Sequence, residues 1–502
     1  MHPRLATVLL CMLVAALYGA SRAGNLDRPL VYEGYSYLQP GLSLFNTGHY
    51  ALDAGVLDPD ANTFHKPPLT FLLLGASARC HADPVRGARL VPMLVGLWVV
   101  LVPLLATGSV VPSLVILMSP FFYAAAGHIQ TDPIVGLLGC SLVTWGMLRL
   151  WERREVLRLD TAAQWLIAVG LSTLWLGKLE TAVLASAGVG LLSLALPRGM
   201  RRQSIVRLLQ VSLCGMLLFI LVTFLLGLTN AKLFDESVGR VVRTLYTQTD
   251  AISRSNEAAG GTVVARHSIF KMFVRYRLPL LFALALLPAL ISLPRHRARV
   301  PLTLLLVGAA VVLAVPYMVL GIRGEGYPRY FLTAFIPLLL LQGKSLSVMS
   351  RKVRWSISAV ILVVAAVGLL PRTCALMASP GSPTAWYGTV GTRQAVNRLQ
   401  EVTREGDLVM GPGAALFYLH NRQKLTLESF IHSQARTSQA VALGSQVQAA
   451  VVFPRMGIHH SRTPVGCALA SLLARDPVIE KVGSWRLIYA PRQRIATGST
   501  LD

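Results

Sequence analysis

Two carboxylates in this 502-residue sequence have neighbours that suit acid–base chemistry. Glu33 lies in the aromatic segment 32–35, and Asp132 lies between a threonine and a proline. A positioned carboxylate can orient a hydroxyl group or remove its proton. Glu33 and Asp132 are therefore candidate catalytic residues. Asp27 and Tyr35, which flank Glu33 in sequence, are further candidates.

A second group of residues could bind a phosphate. Lys66 precedes two prolines, and Arg329 is followed by Tyr330 at the start of an apolar run. An ammonium group binds phosphate as a point charge, whereas a guanidinium group can bind it through two parallel hydrogen bonds. We therefore expect Lys66, Arg329 and Tyr330 to contact a phosphate group. Lys178, which falls beside an apolar run, is a further candidate.

The candidate metal ligands are histidines that are scattered along the sequence. His65 and His267 could bind a divalent metal ion together with a nearby carboxylate, but histidines dispersed in this way are usually not ligands. The six cysteines form no pair at the spacing of a zinc site. The sequence therefore requires no cofactor and leaves the need for a metal ion open.

These residues also have plain structural explanations. Asp132 precedes Pro133, and this order suits the first turn of a helix, where a carboxylate caps the backbone amides. Lys66 and Arg329 could simply extend to lipid headgroups. The residue types alone leave both interpretations open for each position.

The composition indicates the environment that must position these residues. The chain is 54% hydrophobic and 14% charged, with a mean hydropathy of +0.56, which is outside the range of ordinary soluble domains. Its net charge is +24, but the basic residues form short clusters between apolar runs and no stripe with interleaved aromatic residues. The sequence thus predicts a membrane protein in contact with the lipid bilayer, and argues against nucleic acid as a partner.

The loops predict the topology of the spans. Four basic clusters, near residues 149–158, 198–207, 295–299 and 344–354, are each separated by two apolar stretches. Because basic short loops face the cytoplasm, we expect about eleven spanning helices with a cytoplasmic N-terminus. The predicted spans lie near residues 5–21, 88–107, 109–126, 133–150, 162–177, 181–196, 205–228, 278–294, 300–320, 329–343 and 354–371.

This topology places two large loops, 22–87 and 229–277, outside the membrane. The apolar stretch 69–80 is too short to span comfortably, so it is predicted to be a helix on the outer surface with its apolar face in the lipid boundary. On this interpretation Glu33, Lys66, Asp132 and Arg329 all lie at the outer face.

Residues 372–502 have a different character and are predicted to form an extracytoplasmic α/β domain, after a transmembrane domain over residues 1–371. The patterns predict helices over 391–404 and 467–474, strands over 407–410 and 449–453, and a final strand pair over 478–489. Cys374 and Cys467 either form a disulfide in this exported region or remain unpaired thiols.

The order of these motifs resembles the GT-C membrane glycosyltransferases, and most closely the bacterial relatives of protein O-mannosyltransferases and lipid A aminoarabinose transferases. The resemblance covers roughly residues 1–345 in order. It is carried by a first span, an acidic-aromatic segment in a large outer loop, the Lys-Pro-Pro-Leu segment at Lys66, the Asp132-Pro133 turn, and the late Arg329-Tyr330.

The resemblance implies a GT-C-like helical fold in the bacterial inner membrane, with the C-terminal domain in the periplasm. It implies sugar transfer from a polyprenyl-phosphate donor to a glycan, lipid or protein acceptor at the outer face. By resemblance, Asp132 matches the second acidic position, Lys66 the lysine of the Lys-Pro-Pro segment, and Arg329 the late Arg-Tyr.

One departure keeps rival functions open. The first acidic site in the family usually reads Asp-Glu, whereas this chain has Tyr32-Glu33. Either Glu33 or Asp27 takes over as base, or activity is lost or altered. The alternatives are a transporter or flippase of lipid-linked glycan, and a non-catalytic relative that acts through its C-terminal domain.

Overall fold

The chain forms a mostly helical body followed by a small sheet near its C-terminus. The structure, a computed structural model, describes residues 3–28, 30, 32–51, 68–153, 160–230, 274, 276–292, 302–303, 306–311, 331–378, 391–426, 437–452, 464–483 and 485–490. The helices of the body are α1 Pro3–Arg22, α2 Tyr32–Thr47, α3 Leu69–Arg79, α4 Pro84–Thr107, α5 Val111–Met118, α6 Pro120–Ala125, α7 Leu137–Glu152, α8 Thr161–Gly177, α9 Leu179–Ala195, α10 Arg198–Gly227, α11 Leu278–Ser292, α12 Leu332–Val348, α13 Arg351–Gly368 and α14 Leu370–Ala378.

Several of these helices could cross a membrane. Within the described ranges, five helical stretches are long and apolar enough: Leu5–Asn25, Pro84–Thr107, Asp132–Glu152, Arg198–Gly227 and Arg351–Ala378. Helices α3, α8, α9, α11 and α12 are apolar but shorter. On α10, large apolar side chains such as Leu209 and Leu217 are 64% and 55% exposed, which is the arrangement expected of a helix that faces lipid.

The stretch 109–126, predicted as one helix, consists of two. Helix α5 ends at Met118, and Ser119 has extended backbone angles of φ −77° and ψ 122°. Pro120 then begins α6, because proline lacks the amide hydrogen that would continue α5 but suits the first position of a new helix. The Ser119 hydroxyl accepts a hydrogen bond from the Phe122 amide and so caps α6.

Helix α3 corrects the prediction that stretch 69–80 presents its apolar face to lipid. Its residues Phe71, Leu74 and Ala78 are fully buried and lie in the main core of the protein. Gly75 faces Gly41 of α2 so closely that a Cβ atom on Gly75 would lie 2.3 Å from the Gly41 carbonyl carbon. The apolar face of α3 therefore packs against protein, because two glycines allow its backbone to contact that of α2.

Near the predicted boundary at residue 371, the chain is still helical. Helix α14 begins at Leu370 and packs against α6 and α13, and the next described element begins at Thr392. Cys374 lies on α14, and none of the six cysteines, Cys467 included, forms a disulfide in the structure. The disulfide alternative for Cys374 and Cys467 is therefore not the one that the structure adopts.

The C-terminal region is an α/β sandwich. Its elements are α15 Thr392–Val402, β1 Leu408–Gly411, α16 Gly413–Leu416, β2 Gln423–Thr426, α17 Thr437–Gln446, β3 Val447–Val452, α18 Pro464–Leu473, β4 Val478–Val482 and β5 Trp485–Tyr489. The strand order is β2-β1-β3-β5-β4, with β1 parallel to β2 and β3, and β5 antiparallel to β3 and β4. The predicted helices and strands are present, whereas β2, α16 and α17 were not predicted.

Alternation along the strands gives this sheet two buried faces. Leu408 and Met410 of β1 pack with Leu469 of α18, whereas Val409, between them, packs with Leu399 of α15. Helices therefore cover both sides of the sheet, which explains why all four residues of β1 are buried.

Candidate active site

Asp132 forms a buried ion pair with Lys178. Asp132 begins the π-helical turn Asp132–Gly136 that leads into α7, and Lys178 lies between α8 and α9. The Lys178 ammonium contacts Oδ1 of Asp132, and the two side chains are 7% and 5% exposed, respectively. A charged pair held in a helical membrane domain is costly to desolvate and usually marks a functional position.

Small residues allow the two charges to meet. Gly177 is the last residue of α8, and a Cβ atom on it would lie 2.1 Å from Cγ1 of Val135. Lys178 then leaves helical geometry, with φ −158° and ψ 84°, before α9 begins at Leu179. The break directs the lysine side chain towards the turn that carries Asp132. A helix that continued through residue 178 would point this side chain elsewhere.

Polar contacts at the other end of α7 and α8 fix the two helices as an antiparallel pair. Arg149 near the end of α7 donates to Asp160, the N-cap of α8, with an Nε to Oδ2 distance of 3.0 Å. Glu152, the last residue of α7, pairs with Lys344 of α12. The end of α7, with Arg149 and Glu152, therefore lies beside Lys344, at the opposite end of α7 from Asp132.

Two helix starts that follow predicted motifs lie beside the turn of Asp132. Thr70 lies four residues after Lys66, and its Oγ1 is 3.4 Å from Oγ1 of Thr131. Thr333 lies four residues after Arg329 and packs against the same turn, where a Cβ atom on Gly136 would be 3.1 Å from Cγ2 of Thr333. The start of α3 and the start of α12 thus converge on the residues around Asp132.

The candidate residues of the first acidic segment, Asp27, Glu33 and Tyr35, differ in their surroundings. Asp27 is exposed and accepts a hydrogen bond of 2.8 Å from Nε of Arg86. Glu33 lies in the first turn of α2, and its side chain is outside the described part of the structure. Tyr35, also on α2, is 2% exposed and is directed at the C-terminal region, where its ring meets Phe417 edge-on at 6.4 Å. The contact gives Tyr35 a clear packing role.

The C-terminal region docks on this segment through α16 and the two residues that follow it. Gly413 has no room for a side chain, because a Cβ atom would lie 2.2 Å from the Tyr35 ring. The Leu30 amide donates to the Tyr418 hydroxyl at 2.6 Å. Burial raises the pKa of Tyr418, and the Leu30 amide opposes this shift. Nothing in the sequence pattern indicated this contact, since its partners are separated by 388 residues.

The remaining predicted site residues lie outside the described residues: His65, Lys66, His267, Arg329 and Tyr330. Most of the outer loop 229–277 is also outside them. Among the residues that are described, no three His, Cys, Asp or Glu side chains come together in a group that could hold a metal ion. His128, at 4% exposure, is buried in the loop before Asp132.

Comparison with known proteins gives the fold. No protein-family model and no curated protein sequence matches the chain. Among solved structures, ArnT from Cupriavidus metallidurans in the apo state superposes with a TM-score of 0.62 at 16% identity, over 97% of this chain and 99% of ArnT. The chain has the GT-C fold.

Two further GT-C structures agree with this assignment. ArnT bound to undecaprenyl phosphate gives a TM-score of 0.63 at 15% identity, over 97% of this chain and 99% of ArnT. The archaeal oligosaccharyltransferase AglB from Archaeoglobus fulgidus, in complex with an inhibitory peptide and a dolichol-phosphate, gives 0.57 at 12% identity. The match covers 99% of this chain and 75% of AglB. The resemblance predicted from the order of the motifs is confirmed for the fold.

Proposed function

We propose that this GT-C protein transfers a sugar from a polyprenyl-phosphate donor to a glycan, lipid or protein acceptor at the outer face of the membrane. The observation that carries the proposal is the convergence of the start of α3, the start of α12 and the Asp132–Lys178 pair. Two of the similar structures hold a polyprenyl-type lipid phosphate, undecaprenyl phosphate in ArnT and a dolichol-phosphate in AglB.

The reaction requires two kinds of group. The acceptor hydroxyl oxygen attacks the anomeric carbon, a new carbon–oxygen bond forms, and the bond from that carbon to the donor phosphate breaks. The bonding electrons leave with the lipid phosphate, and the hydroxyl proton passes to a carboxylate. Cations near the departing phosphate stabilise its increasing negative charge. The sequence carries both kinds of group, with the cations in the segments that precede α3 and α12.

The proposed roles follow from this chemistry. Glu33 is the base, because the carboxylate of Asp27 is exposed and already paired with Arg86. Asp132 orients the acceptor, since Lys178 holds its carboxylate in place. Lys66 and Arg329, with Tyr330, bind the donor phosphate from the segments that precede α3 and α12. Eleven spans, an N-terminus inside and the C-terminal domain of residues 372–502 outside complete the proposal.

The test measures sugar transfer from a panel of labelled polyprenyl-phosphate sugars in membranes that contain the protein. Asp132→Asn and Glu33→Gln are each expected to slow transfer by at least about 100-fold, the usual contribution of a positioned acid or base. Asp160→Asn is the matched control, because this carboxylate pairs with Arg149 at the opposite end of the helices. Transfer at the wild-type rate by both active-site variants would contradict the mechanism, and movement of the donor lipid across vesicles without transfer would favour a transporter.

A further inference from the structure

Two buried arginines near the start of the chain have no carboxylate partner among the residues that the structure describes. Arg22 ends α1 and is 1% exposed, and Arg28 lies six residues later and is 8% exposed. Among the described residues, no ion pair joins either of them to an acidic group. Two buried positive charges are costly unless a negative charge compensates them.

Both guanidinium groups contact one aromatic ring. The Cζ atoms of Arg22 and Arg28 lie 4.6 Å and 5.3 Å from the centre of the Tyr123 ring. Nη2 of Arg28 also donates to the Tyr123 hydroxyl at 3.3 Å, and Nη2 of Arg22 donates to the Leu117 carbonyl at 3.1 Å. These neutral contacts position the two groups but supply no negative charge. Burial lowers the pKa of Arg28, and Tyr123 opposes this shift.

A third arginine, Arg89, contacts the backbone of Arg28. Arg89 of α4 is 3% exposed, and its Nε donates to the Arg28 carbonyl at 3.0 Å. Its Nη1 donates to the carbonyl of Gly127. Arg89 thus ties the loop that contains Arg28 to the loop before Asp132 through these two backbone oxygens.

Several buried polar atoms of Arg22, Asn25 and Arg28 make no hydrogen bond within the described part of the chain. The Nε atoms of Arg22 and Arg28 are buried without a hydrogen-bond partner, and so are both polar side-chain atoms of Asn25. Asn25 is fully buried in the turn between the two arginines and packs against Gly127. A Cβ atom added to Gly127 would lie 3.0 Å from Cγ of Asn25. Buried polar groups of native proteins are almost always hydrogen-bonded, so this set of atoms indicates a ligand.

The position of the two arginines favours a ligand from the membrane interface. Arg22 and Pro133 line the same small cavity, together with Tyr18, Gly96 and Phe122, so Arg22 lies at the same end of the helices as Asp132. Apolar residues make up most of the lining. A phosphate monoester carries up to two negative charges and accepts hydrogen bonds at every oxygen, which matches two guanidinium groups.

We infer that Arg22, Asn25 and Arg28 form a phosphate-binding site, separate from the segments of Lys66 and Arg329 that are proposed to hold the donor. The ligand is a terminal phosphate group, either the monoester headgroup of a lipid or free inorganic phosphate. This site does not depend on the proposed sugar transfer, because its argument rests on uncompensated charge and on unpaired buried donors.

The experiment uses the full chain purified in detergent and delipidated, with the thermal unfolding midpoint as readout. The probes are inorganic phosphate and dioctanoyl phosphatidic acid, each compared with chloride at equal ionic strength. Phosphatidic acid should stabilise the wild-type protein more than chloride does, and Arg28→Gln should weaken that response by at least about tenfold in concentration. Stabilisation by phosphatidic acid alone identifies a lipid headgroup, whereas stabilisation by both probes identifies the phosphate group itself.

Two variants keep the test decisive if Arg28→Gln folds poorly. Asn25→Asp supplies a built-in anion of the same shape, so it should raise the unfolding midpoint in the absence of phosphate and remove the response to both probes. Arg86→Gln, an exposed arginine of the neighbouring helix that is paired with Asp27, should respond as the wild type does. The inference is overturned if neither probe stabilises the wild-type protein, or if Asn25→Asp and Arg28→Gln respond as the wild type does.

Discussion

The Asp132–Lys178 pair can be tested through its energetic coupling. Lys178→Met keeps the length of the side chain but leaves the Asp132 carboxylate buried without its counter-ion. The two side chains are only 7% and 5% exposed, so the cost belongs to the range for broken buried pairs, about 3–5 kcal/mol, rather than to that for surface pairs. Asp132→Asn strands the ammonium group and should cost a similar amount.

The double variant shows whether the stability losses of the two single variants are coupled or simply add. If the two substitutions acted independently, the double variant would lose about 6–10 kcal/mol of unfolding free energy. This is twice the loss expected for a single broken buried pair. Because Asp132→Asn with Lys178→Met removes both charges, we expect the double variant to lose no more than the worse single variant. The assay is equilibrium unfolding in mixed micelles, with all four proteins measured under one condition.

A matched pair provides the control for this cycle. Arg86 and Asp27 also form an ion pair, but their side chains are 51% and 57% exposed. The corresponding cycle with Arg86→Gln and Asp27→Asn should show no resolvable coupling, because water screens exposed charges. Strictly additive losses at Asp132 and Lys178 would refute the reasoning, since they would mean that the two buried charges do not stabilise each other.

Two predictions concern pH. Burial raises the pKa of Tyr418 above its ordinary value of about 10, so the folded protein holds the phenol proton more tightly than the unfolded chain. This contribution to stability is complete below about pH 10 and is lost as the pH rises further, so the unfolding midpoint of the wild type should fall more steeply from about pH 9 to pH 11 than that of Tyr418→Phe. At Asp160, burial alone would raise the pKa, but Arg149 and the amides of Ala162 and Ala163 together hold it below its ordinary value. That stability is present above about pH 4 and lost in acid, so Asp160→Asn should flatten the acid side of the stability profile measured by thermal unfolding, and an unchanged profile would contradict this assignment.

The apolar helices and most of the C-terminal elements, but not β2, α16 or α17, could be predicted from local pattern alone. Short apolar runs identified β1 and β3 as buried strands, and helical periodicity identified α15, because the positions that the patterns mark are those that the sheet buries. The fold was predicted from a resemblance to the GT-C glycosyltransferases in the order of the motifs, which local spacing alone would not supply. Asp132 was a candidate from its neighbours in sequence.

Other features depended on contacts between distant residues. The lipid-facing prediction for α3 was wrong, since composition shows that a face is apolar but not whether lipid or another helix covers it. The contact of Tyr418 with Leu30 and the clustering of Arg22, Arg28 and Arg89 also carried no signal along the chain. Such pairs become visible only when separate helices are packed together.

The sequence by itself determined that this chain is built of apolar helices with a C-terminal α/β region, and it identified Asp132 and Lys178 as separate candidates. Only the tertiary structure decided that these two residues are partners. Their contact requires α8 to end at Gly177, to approach the Asp132–Gly136 turn at Val135, and to lose helical geometry at Lys178. Close packing between two helices, rather than any local propensity, brings the charges together.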